Sequence, residues 1–409
     1  MEDASTIDDA ATVGARIKVL RKWRGNMSQQ TLADLAGLSQ AHLSRIERGR
    51  WPLDRRSHIA GLARALRVSE TDIVGGPHLS ADPIQSTPHT TIPAVRAALL
   101  SNTLTSPTTE RARPLAELVA EMNRIDHSEY KHIEVGEKLP AVINELHVHV
   151  AMPADEAAYQ LALMTLIEAF QSATFTTKDL GYGDLAHIAA MRADEVAGIL
   201  DDPISTGKAA SLRVHTMSMA SRDFALGLAE EAADALEPHA HDDHGVQVLG
   251  MLALAASLMA TVLYRYDRAE HWLNQATEFA ERIPDSPGEN WGAFSASNVG
   301  AWKVALATER GESGGGLLEL AREVDEDKLK VRRGRHAAFL ADVGRGLARD
   351  RKNRNEAVEW LRRAEEVAPH KIRNNASVRH TVEVLHTQAL DSAVSVELRG
   401  MMARMGVPH

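Results

Sequence analysis

The chain has 409 residues, no cysteine and a formal net charge of −10 at pH 7. This length leaves room for more than one domain, and the lack of cysteine excludes disulfide bridges, thiolate zinc sites and thiol catalysis. The opening MEDASTIDDAAT has neither the basic start nor the apolar core of a signal peptide, so we expect a cytoplasmic protein.

Positive charge is concentrated near the N-terminus. Residues 11–67 contain 12 Lys or Arg against three Asp or Glu, a net of +9, so the rest of the chain carries −19. A basic segment joined to an acidic body is typical of a DNA-binding module with a separate regulatory domain. The acidic body should also limit non-specific attachment to DNA.

The basic segment begins with helical patterns. Asp8 and Asp9 offer N-caps for a first helix. In Ser28–Arg50, Ser28 and Ser39 are each suited to cap a further short helix, with a tight turn between the two helices. This is the pattern of a helix-turn-helix, in which the second helix lies in the DNA major groove.

Two more helices are predicted behind that unit. Residues 55–66 are amphipathic, and Ser69 with Asp72 forms a capping box for a short fifth helix.

Several motifs make residues 11–74 resemble the phage-repressor (Cro-like, XRE-type) helix-turn-helix domain, a five-helix bundle. Gln29 opens the second helix, Gly37 follows the small Ala33 by four residues, and Ile46–Arg50 is similar to the family ending I-E-x-G-[KR]. The resemblance also implies a structural pair between Arg21 and Glu47.

The family positions that face base edges correspond to four residues of the second helix of this unit, namely Gln40, Ala41, Ser44 and Arg45. A Gln side chain is suited to adenine and an Arg side chain to guanine, each through paired hydrogen bonds. Phosphate contacts, which fix register without reading sequence, are expected from Gln29, Arg50, Arg55 and Arg56.

The composition changes after residue 76. Six prolines between Pro77 and Pro114, with many Ser and Thr, predict a linker over residues 77–113. Within it, Ile92–Leu100 is amphipathic and predicts a short helix near 93–100. The chain thus divides into a DNA-binding domain at 1–76, a linker, and a third part at 114–409.

No strand pattern occurs after residue 114, so the whole chain is expected to be all-α. Ala357, Leu361, Ala364 and Pro369 follow the small–large–small–Pro spacing of a tetratricopeptide repeat. Similar frames recur at intervals of roughly 40–47 residues, which predicts a superhelical array of divergent helix pairs. The apolar run Val248–Tyr264 is shorter than the ~20 residues that a membrane span needs, and a buried helix is the better interpretation.

The most distinctive polar position in the repeats is Asn298. Trp291 lies seven residues before it, about two helical turns away, and Trp302 follows closely. An amide beside aromatic rings suits a bound peptide or other effector, and packing within the bundle is the equally weighted alternative.

Other chemical signatures are weak. His239, His241 and His244 have the density of a metal site, but an interhelical loop explains them better, so no metal and no cofactor is predicted. No metalloprotease, serine-hydrolase or P-loop motif occurs in the sequence, and we do not expect an enzyme.

A helix-turn-helix head, a Pro-rich linker and a degenerate repeat array resemble many actinobacterial transcription regulators and, in architecture, the peptide-pheromone receptors of other Gram-positive bacteria. The resemblance implies a homodimeric regulator that binds a double-stranded operator under the control of a peptide or small-molecule effector. The alternative is an adaptor whose repeats recruit another protein to DNA without an effector.

Overall fold

The computed structural model describes residues 12–76, 83–128, 131–218, 221–389 and 393–407. These residues form helices and no strand, so the fold is all-α. The N-terminal domain contains α1 (Val13–Trp23), α2 (Gln29–Ala36), α3 (Gln40–Glu47), α4 (Arg56–Leu66) and α5 (Glu70–Val74).

Eighteen further helices follow in the described residues. They are α6 (Pro83–Thr90), α7 (Ile92–Ser101), α8 (Leu115–Asp126), α9 (Lys131–Ala151), α10 (Glu156–Asp179), α11 (Gly183–Leu200), α12 (Pro203–Thr216), α13 (Arg222–Leu236), α14 (Asp243–Val262), α15 (Tyr266–Glu281), α16 (Ala296–Arg310), α17 (Gly315–Arg322), α18 (Glu326–Leu329), α19 (Arg333–Ala348), α20 (Arg354–Val367), α21 (Pro369–Arg373), α22 (Ala376–Gln388) and α23 (Ala393–Met405).

The five N-terminal helices enclose one small apolar core. Ile17, Leu32, Leu43 and Leu62 are fully buried in it, one from each of the first four helices. Thr12 caps α1 by accepting a hydrogen bond from the Ala15 amide, whereas the expected caps Asp8 and Asp9 lie outside the described residues.

The remaining helices pack mainly against their neighbours in sequence, as in solenoid proteins. Their interior divides into three apolar clusters, and single helices are shared between successive clusters. α12 places Leu212 in the first cluster and Val214 in the second, and α16 places Leu306 in the second and Val304 in the third. The core is therefore continuous along the array.

The segment expected to be a linker contributes to that core. α7 covers the predicted helix near 93–100, and its apolar face, including Val95 and Leu99, is buried with α8–α11. α6 precedes α7 and was not predicted, because Pro83 and Pro88 in the sequence suggest irregular chain. In the structure Pro83 is the first residue of the helix, a position at which proline is well tolerated.

α14 lies at the centre of the array. Among the described residues it is the one helix long and apolar enough to cross a membrane by length and composition alone, and its apolar window is entirely buried inside the protein. Such burial is typical of a core helix. A Cβ placed on Gly250 would lie 1.9 Å from the Phe294 ring, so glycine permits the close approach of this ring to the helix.

Early and late parts of the array are in contact. Lys371 of α21 pairs with Asp179 at the end of α10 at 2.7 Å, and Arg332 lies 3.2 Å from Asp126 of α8. The loop between α3 and α4 and the start of α4 dock against the later helices α16, α19 and α22, so the N-terminal domain and the array are in direct contact.

Candidate DNA-binding site

The turn between α2 and α3 is fixed by local hydrogen bonds. The Ser28 hydroxyl accepts from the Thr31 amide at 3.0 Å, and the Ser39 hydroxyl accepts from the His42 amide at 3.2 Å. Gly37 ends α2 with φ = 71°, a left-handed conformation that glycine adopts without strain. These features orient α3 across α2 as a recognition helix.

A chain of polar side chains behind α3 connects three helices. Arg21 donates to both carboxylate oxygens of Glu47, at 2.7 and 3.0 Å, and the Glu47 side chain is only 3 % exposed. Gln29 also donates to Glu47 at 2.7 Å, and its amide oxygen accepts from Gln40 at 2.9 Å. The Arg21–Glu47 pair therefore links α1 to α3 and, through Gln29, orients the first residue of the recognition helix.

Three of the four expected base-reading residues lie on the open face of α3. Gln40, Ala41 and Arg45 are exposed, whereas Ser44 is 4 % exposed and its hydroxyl accepts a hydrogen bond from Arg48. Because Arg48 covers Ser44 one turn later, the accessible reading surface is narrower than the sequence suggested. The phosphate contact expected of Gln29 competes with its two internal hydrogen bonds.

The inner side of α3 rests on an aromatic cluster. The His42 ring meets the edges of Trp51 and His58, with centroid distances of 5.7 and 5.0 Å. Burial and the nearby Arg55 lower the pKa of His58 to about 3, so the ring is neutral at physiological pH. This cluster fixes the loop that leads from α3 to α4, and no pattern in the sequence indicated it.

The structure turns two of the expected phosphate ligands toward the helical array. Arg55 donates from Nε to the Glu309 carbonyl at 2.7 Å, and Arg56 pairs with the Glu309 carboxylate at 2.6 Å. That carboxylate also accepts from the Arg56 amide at 3.0 Å and so caps α4. Arg50 is exposed, and its carbonyl accepts from Gln388 at 2.6 Å.

Two further buried contacts hold the same loop. Asp54 is 1 % exposed and pairs with Arg349 at 2.7 Å, while its carbonyl accepts from Arg345. The Leu53 amide donates to Nδ1 of His380 at 2.7 Å. Burial lowers the pKa of His380 to about 4, which leaves this nitrogen free to accept. No sequence pattern predicted this interface, and the acidic Asp54 within the basic segment was the one available signal for it.

The three residues proposed for an effector do not form one surface. Gly292, with φ = 61°, and Ser295, the N-cap of α16, separate Trp291 from Asn298, so the two-turn spacing on a single helix is wrong. Asn298 is fully buried and its side-chain amide contacts the Gly292 carbonyl at 3.5 Å. Trp302 is 8 % exposed, and its ring lies against Arg335 of α19.

The histidine-rich segment spans the end of a short 3-10 turn, Glu237–His239, and the start of α14. In the described ranges no group of three or more His, Cys, Asp or Glu is arranged to hold a metal ion.

Comparison with known proteins agrees with the N-terminal geometry. A family described as a helix-turn-helix domain matches residues 12–73, which include all of α1–α4 and most of α5. No curated protein and no solved structure matches the chain significantly. The N-terminal domain is thus a helix-turn-helix domain, the kind of module that binds DNA.

Proposed function

We propose that this protein is a sequence-specific DNA-binding transcription regulator of the XRE type. The observation that carries the proposal is α3, a capped recognition helix whose exposed face presents Gln40, Ala41 and Arg45 within a segment of net charge +9. Base reading by these side chains and attraction of the basic segment to phosphates are the two elements that specific binding requires.

The helical array is proposed to be a tetratricopeptide-like sensor and dimerisation domain. A single recognition helix reads few base pairs, so a homodimer on a two-fold operator is the expected arrangement. Control by an effector is supported by the direct contact between the array and the loop that follows α3. We further propose a cytoplasmic location, in keeping with the absence of cysteine, and a non-enzymatic role.

Selection of bound sequences from random double-stranded DNA tests the proposal with the full chain. We expect an enriched motif with two related half-sites, and in an Arg45→Ala variant a motif that has lost its preference at one base pair of each half-site. Arg124→Ala on the exposed surface of α8 serves as the matched surface control. Failure to enrich any motif, with a folded protein, would overturn sequence-specific binding.

A further inference from the structure

A short basic segment of the array lies between α19 and α20. Residues 349–354, RDRKNR, contain four Lys or Arg against one Asp, a net of +3, in an otherwise acidic array. We define the basic turn by the three cations that follow Arg349, namely Arg351, Lys352 and Arg354. The first two are exposed on the 3-10 turn Arg351–Asn353, and Arg354 is the first residue of α20.

The cations of the basic turn have no acidic partner within the protein. In the described part of the chain, no Asp or Glu lies within salt-bridge distance of Arg351, Lys352 or Arg354. Asp350, the one acid of the segment, caps the 3-10 turn and accepts from the Lys352 amide at 3.0 Å. Burial and the neighbouring Arg351 lower the pKa of Arg354 from its ordinary value. A group of like charges without a counter-charge favours an anion from outside the chain.

A second basic run of the array shows the contrast. Residues 330–335 also contain four Lys or Arg. Lys330 pairs with Asp327 at 2.6 Å, and Arg332 pairs with Asp126 at 3.2 Å. These cations stabilise contacts within the chain, whereas those of the basic turn remain available to an external anion.

The basic turn is anchored to the loop that follows the recognition helix. Arg349, two positions before Arg351, pairs with Asp54 at 2.7 Å, and the two side chains are only 5 % and 1 % exposed. The same guanidinium donates to the Thr308 carbonyl at 2.7 Å. Because Asp54 lies between α3 and α4, this buried pair holds the basic turn beside the helix-turn-helix unit.

The turn between α16 and α17 provides a second link between the same two parts. A Cβ placed on Gly311 would lie 3.4 Å from Nη1 of Arg55, the N-cap of α4, and a Cβ placed on Gly314 would lie 3.3 Å from Oδ2 of Asp350. Three residues of chain span at most about 11 Å. The start of α4 and the segment that carries the basic turn are therefore close together.

We propose that the basic turn is a second DNA contact of this protein, which binds phosphates of the duplex on which α3 is seated. Duplex DNA carries one negative charge per ~1.7 Å of its axis, so a cation fixed beside the recognition unit meets phosphates in almost any register. Arg351 and Lys352 lie on a turn and not on a helix that could enter the major groove, which suits them to phosphates more than to bases.

This inference rests on the proposed DNA-binding function and extends it from the N-terminal domain to the array. The array then acts on DNA binding in two opposite ways. Glu309 withdraws Arg56 from the duplex, whereas the basic turn supplies cations of its own. Because the pair between Arg349 and Asp54 is buried, we expect the two domains to bind DNA as one docked unit.

The salt dependence of DNA affinity tests the proposal with the full chain. One duplex carries the motif enriched by selection, and a second has random sequence. We expect Arg351→Gln and Lys352→Gln each to lower the slope of log K against log salt concentration by about 0.9 on both duplexes. The affinity should fall by about three- to tenfold at about 0.1 M salt. Base preference should not change, because phosphate contacts carry no sequence information.

Arg124→Gln on the exposed surface of α8 is the matched control, because it removes the same charge. Asp126, at the end of α8, pairs with Arg332 just before α19, whereas the basic turn follows the other end of α19. The 16 residues of α19 span about 24 Å. The control variant should bind both duplexes like the unchanged protein, and circular dichroism verifies that every variant is folded.

Slopes equal to that of the unchanged protein in both basic-turn variants would overturn the inference. An equal loss in Arg124→Gln would do so as well, because it would indicate a general effect of net charge. A changed oligomeric state with an unchanged DNA slope would assign the basic turn to an acidic surface of a second copy, which also contradicts the inference. A lowered slope on random DNA without any enriched motif would contradict only sequence-specific binding, and absence of all DNA binding would contradict both proposals.

Discussion

Glu47 is the residue on which the geometry of the reading face depends most directly. Its carboxylate accepts from Arg21 and from Gln29 while remaining 3 % exposed. A buried carboxylate with these two donors is satisfied, but removal of Arg21 leaves its charge without compensation. The Glu47 carboxylate therefore stabilises the helix bundle and, through Gln29, positions Gln40.

Arg21→Ala should destabilise the N-terminal domain by about 3–5 kcal/mol, because it strands a buried negative charge. Hydrogen exchange of the amides in α1–α3 measures this local free energy of opening. Lys22→Ala removes an exposed neighbour on the same helix and should leave the exchange unchanged. Equal protection in the two variants would show that the pair contributes nothing to stability.

Ser44 and Arg45 were both predicted to read bases, but only Arg45 is exposed on α3. Arg45→Ala should weaken cognate DNA by about 1–3 kcal/mol and relax preference at one base pair, since a guanidinium reads guanine through two hydrogen bonds. Ser44→Ala should leave base preference unchanged, because Ser44 is buried and bonded to Arg48. Competition binding against single-base variants of the operator distinguishes them, and a preference change in Ser44→Ala contradicts this assignment.

Local spacing predicted the caps at Ser28 and Ser39, and the family resemblance implied the Arg21–Glu47 pair and the outward-facing Arg45. Neither predicted that Arg55 and Arg56 contact Glu309, which is more than 250 positions away. A basic side chain suits a phosphate and a carboxylate equally well, and only the fold decides which one it meets.

At the scale of single elements, α14 shows how close packing constrains the array. It has buried side chains on every face, so its sequence lacks the polar stripe of a surface helix. Its apolar length predicted a buried helix, but the contact between Gly250 and Phe294 could not be predicted, since it joins residues 44 positions apart.

Gly250→Ala should destabilise the array by about 1–3 kcal/mol or more, because its Cβ would overlap the Phe294 ring. Gly198→Ala is the matched control: no atom lies within 4 Å of its Cβ position in α11, and it should stabilise by about 0.5–1 kcal/mol through helix propensity. Denaturant unfolding measures the change in the free energy of unfolding for both variants, which we expect to be opposite in sign. A stabilised Gly250→Ala variant would contradict the packing seen here.

At the scale of the whole molecule, the array determines which charges the N-terminal domain offers to DNA. Burial favours protonation of Glu309, yet Arg56 and Arg345 hold its pKa below the ordinary value, so the group is an anion that retains both cations. The effective charge facing a duplex is therefore smaller than the sequence count of +9 indicates.

The salt dependence of DNA affinity should show that Glu309 keeps Arg56 from contacting DNA phosphates. Each phosphate contact contributes a slope of about −0.9 in log K against log salt concentration. Glu309→Gln removes the carboxylate that pairs with Arg56 and should steepen the slope by about one contact, while Arg55 keeps its bond to the Glu309 main-chain carbonyl; the exposed Glu312→Gln serves as control. A flat dependence in all three proteins would contradict electrostatic binding, and identical non-zero slopes would show that Arg56 does not reach DNA when it is released.

Glu383 on α22 couples protonation to the stability of the docked molecule. Burial raises its pKa to about 7, and attraction to Arg16 and Arg379 offsets only part of that effect. Between pH 4.5, near the pKa of this group in the unfolded chain, and about pH 7, the folded protein binds more protons than the unfolded chain. The group therefore lowers stability as pH rises through that window.

Glu383→Gln removes the titration and should stabilise the protein by ~1–3 kcal/mol at pH 8, with no gain below pH 4.5. Thermal unfolding from pH 4 to pH 8 measures the difference, and the exposed Glu356→Gln on α20 controls for the loss of one surface charge. A gain that is the same at pH 4 and pH 8 would show that the burial of Glu383 does not govern its ionisation.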